Sequence, residues 1–163
     1  GYDISRHQST ETGGSMSSII VRAAKASDQA DWARLYAGYA AFYRVEQSDA
    51  MRAKVWSWVT DPQAEVRALV AERDGRLIGL AHYRCYARPL AASVGGFLDD
   101  LFVDADARGS GAARLLIEAL TAIGREEGWT VLRWITAPDN DRARALYDQM
   151  AAATAWVTYD ITL

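Results

Sequence analysis

Residues 97–120 read FLDDLFVDADARGSGAARLLIEAL, and the fold turns on what this stretch becomes. Its first part, FLDDLFV, has the length and apolar content of a strand. Side chains alternate along a strand, so Phe97, Asp99, Leu101 and Val103 are expected on one face and Leu98, Asp100 and Phe102 on the other. Its last part is a helix. Ala112, Leu115, Leu116, Ala119, Leu120 and Ile123 form one apolar stripe at helical spacing, and Arg114, Glu118, Thr121 and Arg125 form the wet side. Gly128 is placed to end it. Between strand and helix stand Arg108 and the small residues Gly109, Ser110, Gly111, Ala112 and Ala113. Glycine inside a helix costs roughly 0.5–1 kcal/mol against alanine, so a bare backbone here answers some other need.

That need is an anion. The first N–H groups of a helix have no acceptor within it, and the helix dipole adds positive potential at the same end. Small side chains let a phosphate approach those groups closely. Arg108 at the rim adds a charge-assisted hydrogen bond. A Walker A loop requires Gly-Lys-Ser/Thr, and this loop has no lysine. A dinucleotide fingerprint wants glycine three residues beyond Gly111, where Arg114 stands, and no strand with an acidic tip follows. A third candidate is the pyrophosphate of coenzyme A, and an ordinary helix entry is the alternative.

Three motifs carry a family resemblance. Arg108, Gly111 and Ala113 fit the pattern Arg/Gln-x-x-Gly-x-Gly/Ala; LDDLFV is similar to the Leu-Glu-Asp-Phe-Phe-Val strand of diamine acetyltransferases; and Asn140, Ala143 and Tyr147 fit Asn-x-x-Ala-x-x-x-Tyr. The chain resembles the GNAT superfamily of N-acetyltransferases, and in motif the spermidine/spermine (diamine) group. The likeness runs in order from Gly95 to Met150 and extends over nearly all of Met16 to Leu163. Asp99 stands where that group has glutamate, and DQMAAATAW follows Tyr147 where a Gly-Phe is common.

The resemblance implies an α/β class: a single domain with a central mixed, mostly antiparallel sheet and about four flanking helices. The sheet would be splayed in the middle, between Leu98–Val103 and Val131–Ile135. It implies acetyl-CoA as cosubstrate and no metal. Leu101, Phe102 and Val103 would pair with the pantetheine arm; Arg108, Gly109, Ser110, Gly111, Ala112 and Ala113 would hold the pyrophosphate; Asn140 would open the final helix toward the cofactor. Tyr147 would protonate the departing thiolate and Asp99 would take the amine's proton. Asp100 and Glu46, with Asp49 nearby, would draw in the acceptor, a small primary amine such as a polyamine or lysine-like compound. The transfer would be direct, with no covalent enzyme intermediate. A non-catalytic acyl-CoA sensor, another acyl donor, and a peptide or protein amine stay open as alternatives.

The rest of the chain agrees with one globular domain of 163 residues, 50% hydrophobic. A net charge of -3 argues against a nucleic-acid surface. No apolar run reaches the roughly 18 residues of a membrane span. One cysteine, Cys85, read as a small buried hydrophobe, forms no internal disulfide, and two histidines make no metal cluster; a cytoplasmic location is the default. Residues 1–15, with His7, look like an expression tag before Met16. SIIVRAA reads as a strand, capped by Ser27 or Asp28 into a helix whose Trp32, Leu35, Tyr36 and Tyr39 share one side. A second helix spans Asp49 to Val59, with Trp56 and Trp58 as packing residues. Asp74-Gly75 marks a hairpin, with His82 in its second strand as a structural residue. VLRWI is a strand, NDRARALYDQM a helix, and AWVTYDITL a terminal strand through which a homodimer is expected.

Overall fold

In the computed structural model, which describes residues 18–163, the sheet grows from a tight hairpin. Asp74 and Gly75 both take positive φ, 54° and 73°, the backbone of a two-residue turn whose twist matches its flanking strands. They join β2 (Arg67–Arg73) to β3 (Arg76–Arg88). On one side β1 (Ile20–Ala23) pairs with β2, and on the other β4 (Ser93–Val103) pairs with β3, all antiparallel. The last strand, β5 (Leu132–Arg133), runs parallel to β4 and touches it only at Gly96 and Phe97. The order is β1-β2-β3-β4-β5. From Leu98 onward β4 has no ladder partner in β5, so the sheet splays there. The mixed, mostly antiparallel α/β architecture is the expected one. The strand expected over Val131–Ile135 is shorter, because the chain diverges from β4 after two paired residues.

Helices cover both faces. α1 (Gln29–Phe42) and α2 (Asp49–Val59) close one core around Trp32, Leu35, Trp56, Val70, Leu77 and Leu80. α3 (Ala112–Glu127) closes the other with Leu116, Ile117 and Leu120, and Leu146, Tyr147 and Met150 of α4 (Asp141–Met150) pack against it. α3 presents Ile117 to the core where the stripe anticipated Leu115, a rotation of the buried face by less than a turn. Trp129 is wedged between α3 and β4: a Cβ on Gly96 would stand 2.3 Å from it, and one on Gly124 2.6 Å. Ser48 caps α2 by accepting from Met51 N–H (3.1 Å), and Asn140 caps α4 by accepting from Ala143 N–H (3.4 Å).

Five expectations are corrected. The alternation along β4 breaks at Asp99: His82 opposes Asp100 but Tyr83 opposes Leu98, so Asp99 is an extra residue in a bulge. One inserted residue resets the parity, and Leu98 joins Leu101 and Val103 on the α3 face while Phe102 faces α1. Asp28 does not cap α1; its carboxylate accepts from Lys25 N–H and pairs with Arg22 (2.7 Å). Trp58 is exposed under the Lys54 ammonium, leaving the packing role to Trp56, and Cys85 is only half-buried. Finally, AWVTYDITL forms no strand and is exposed throughout. Its alternation finds no ladder partner, since β5 offers an edge of only two residues. The tag reading of residues 1–15 and His7 lies outside the described residues.

Candidate active site

The splay opens a cleft of about 490 Å³ between the free edge of β4, the loop before α3, the end of α1 and the start of α4. A 3-10 turn (Ala105–Ala107) carries the chain from β4 into that loop. Gly109 and Gly111 then adopt φ of +80° and +86°, a region that residues with a Cβ rarely enter. Gly111 is the N-cap of α3 and makes no capping bond. Ala112 N–H donates to Ser110 Oγ at 3.3 Å and Ser110 N–H to the Ala107 carbonyl at 3.1 Å, while the first N–H groups of α3 have no acceptor within the helix. Added side chains at Gly109 and Gly111 would meet nothing within 4 Å, so the glycines answer to backbone conformation, with open space before them.

The residues anticipated for cofactor binding come together. Leu101, Phe102 and Val103 give the strand edge, Arg108 to Ala113 the loop, and Asn140 the far wall, all lining the one cleft. Arg114 and Arg142 also line it, so three arginines border this cleft in a chain whose net charge is -3. Arg108 lies over the Phe42 ring, 5.6 Å from its centroid. The donor set, loop N–H groups flanked by arginines with an apolar strand edge beyond, suits a pyrophosphate with a long, thin, partly apolar arm.

Tyr147 stands in the same cleft, its ring edge-to-face with Trp134 at 5.3 Å. Burial, then the neighbouring Tyr43, pushes its phenol above the ordinary value, so it stays protonated. A protonated phenol facing an apolar cleft is a proton donor.

The three acidic residues do not line this cleft. Asp99, turned out by the bulge, keeps a side chain only 30% exposed and meets Arg84 Nε at 3.2 Å. Burial raises its carboxyl above the ordinary range, although Arg84 pulls it back. Asp100 is half-buried on the α1 face; burial alone would raise it, but hydrogen bonds from His82 and Tyr36 hold it low. Two adjacent carboxyls are thus pushed in opposite directions, the pattern that separates a proton acceptor from a permanent anion. Glu46 is exposed on the connection from α1 to α2.

Sequence reasoning missed the α1 contribution. Tyr39, Phe42 and Tyr43 line the cleft, and YAAFY at the end of that helix was the available signal. His82, expected as a structural residue, is 1% exposed and bonded on both ring nitrogens, to partners that the sequence did not indicate. No helix is long and apolar enough to cross a membrane, and no cluster of three metal-ligating side chains occurs, among the described residues.

The Acetyltransferase (GNAT) family profile matches residues 32–151. The chain is 28% identical over 143 residues to the D-amino-acid N-acetyltransferase HPA3 of Saccharomyces cerevisiae, covering 86% of this chain and 89% of that one. It is 33% identical over 129 residues to the uncharacterized N-acetyltransferase YhfO of Bacillus subtilis, covering 79% and 86% respectively. Among solved structures, the ribosomal-protein-alanine N-acetyltransferase from Brucella melitensis biovar Abortus 2308 superposes with a TM-score of 0.76 at 27% identity, over 90% of this chain and 99% of that one.

Proposed function

We propose, from the premise that this chain belongs to the acetyltransferase (GNAT) family, that it moves an acetyl group from acetyl-CoA directly to the primary amine of a small molecule. The observation that carries the reading is the cleft itself: an unpaired strand edge and a left-handed glycine loop opening α3, with a protonated tyrosine in the wall. Bound acetyl-CoA supplies an activated acyl carbon as its thioester. The loop from Arg108 to Ala113 would hold the pyrophosphate, with Arg114 and Arg142 beside it, and the backbone of Leu101 to Val103 would hold the pantetheine arm. Asn140 fixes the start of α4 and hence the reach of Tyr147.

The remaining steps belong to the chain's own side chains. Asp99, with its raised carboxyl and partly exposed side chain, takes the proton from the incoming ammonium, directly or through water. Tyr147 gives a proton to the departing sulfur. Thiolate is the weaker base of the pair: a free thiol has a pKa of about 8.5 and a phenol about 10, so the hydroxyl stabilises the leaving group before it delivers its proton.

The acceptor is a cation before it reacts. Asp100 meets Tyr36 of α1, Asp99 is its chain neighbour, and Glu46 stands on the connection from α1 to α2; carboxylates of this kind favour a polyamine or a lysine-like amine. A second reading has its own support: Arg84 stands beside Asp99, and the yeast relative is named for D-amino acids, so an amino acid whose carboxylate meets Arg84 is the competing acceptor. Thiol release from acetyl-CoA over polyamines, lysine, D-amino acids, aminoglycosides and peptide N-termini decides. We expect the diamines and polyamines to lead; a preference for free D-amino acids moves the assignment to Arg84, and no turnover with any amine leaves an acyl-CoA-binding protein.

A further inference from the structure

Asp100 has no Arg or Lys within ion-pair distance among the described residues, although it is half-buried; its one charged-type partner is His82. The state of that histidine follows from geometry. Trp32 Nε1, whose ring is wholly buried, lies 2.9 Å from His82 Nε2. An indole N–H only donates, so Nε2 must carry a lone pair. The ring proton therefore sits on Nδ1 and points to Asp100 Oδ2, 2.8 Å away. An imidazolium would aim a second N–H at the Trp32 N–H, and the geometry refuses it. The other donor to Oδ2, the Tyr36 hydroxyl at 3.0 Å, is also neutral.

Asp100 thus keeps a full negative charge, held by neutral hydrogen-bond donors and with no lysine or arginine counter-ion among the described residues. Its surroundings suit an incoming cation. Tyr36 stands edge-on to the His82 ring at 4.7 Å, Tyr39 stacks on Tyr36 at 6.0 Å, and Tyr43 meets Tyr39 at 4.9 Å. Ring faces attract cations. Tyr39 and Tyr43 line the cleft, as does Leu101, the residue after Asp100. Gln47, on the connection between α1 and α2, lies by the Tyr36 hydroxyl.

We propose that Asp100 is the anchor for the acceptor's ammonium group, and that Trp32 and His82 are positioning residues whose fixed tautomer keeps the anchor uncompensated. The inference rests on the amine-acetyltransferase reading and deepens it by assigning the cation's subsite. Asp100, His82 and Trp32 do not line the cofactor cleft, so substitution at His82 is expected to leave acetyl-CoA binding intact.

The test has two arms. Nitrogen-15 NMR of the unmodified protein reads the ring nitrogens of His82 directly and needs no turnover. We expect a protonated Nδ1 and a bare Nε2; a ring protonated on Nε2, or on both nitrogens, overturns the lock. The second arm compares His82→Asn, whose amide can donate as Nδ1–H does, with His82→Leu, which cannot. Loss of a hydrogen bond to a charged group predicts about a tenfold or greater rise in KM for the amine in His82→Leu, near-normal KM in His82→Asn, and unchanged acetyl-CoA affinity in both. Equal amine KM in His82→Leu and the unmodified protein, or a His82→Asn as impaired as His82→Leu, removes the positioning role. Should no amine be acetylated at all, the functional reading fails while the NMR arm still reports on the tautomer.

Discussion

The Tyr147 hydroxyl is one oxygen atom whose removal separates chemistry from packing. Its ring rests on Trp134, and Tyr147→Phe keeps that contact. Proton transfer from a positioned group is worth about 10²–10⁴-fold, so kcat is expected to fall by that factor with acetyl-CoA affinity little changed. Full turnover with a modest loss of stability would make Tyr147 a packing residue. Asp99 gives the matching prediction at the other proton. A base works only when ionised, and burial raises this carboxyl, so kcat/KM is expected to fall on acidification through a value above the ordinary aspartate pKa of about 3.9. Asp99→Asn should lose activity at neutral pH and abolish that acid limb; an unchanged pH profile rules out the base role. The glycine loop and Tyr147 were legible from the sequence because each belongs to a local pattern of residue types. His82 was not, since its partners Trp32 and Asp100 lie 50 and 18 residues away in the chain.

At the scale of elements, the loop and helix α3 act as one unit, and periodicity shows why both were readable. A sixteen-residue helix with a sustained apolar stripe leaves little ambiguity, and Leu116 and Leu120 are indeed fully buried. Leu120→Ala is expected to destabilise the fold by about 2–5 kcal/mol in denaturant titration; a loss well under that range would mean the α3 face repacks. Gly111→Asp tests the loop's function instead. Its new side chain has room, but φ of +86° and a carboxylate beside the phosphate site both oppose it. Calorimetry is expected to show acetyl-CoA affinity falling by tenfold or more, and undiminished binding would dissociate the loop from the cofactor. Less legible were the elements that depend on a partner strand. The bulge at Asp99 shifts parity through pairing with β3, and nothing in FLDDLFV announces an inserted residue. AWVTYDITL alternates as a strand does, yet alternation states only which faces differ, never where an edge waits.

For the molecule as a whole, that terminal segment is the unfinished part of the surface. Trp156, Val157, Tyr159, Ile161 and Leu163 are each at least 73% exposed, an apolar run that a lone protomer leaves in water. We expect a homodimer that covers it, so light scattering at assay concentration should give twice the chain mass; a monomer with the segment intact would contradict this. The sheet opens where β4 and β5 part, and the proposed reaction is direct transfer from a cofactor in the cleft there to an amine held at Asp100. The most direct measurement is mass spectrometry of protein and amine together after mixing with acetyl-CoA, with and without the best acceptor. The account predicts that the amine gains one acetyl group while the protein's mass stays unchanged in both mixtures. An acetylated protein formed without amine, or coenzyme A released with no acetylated amine, would contradict it.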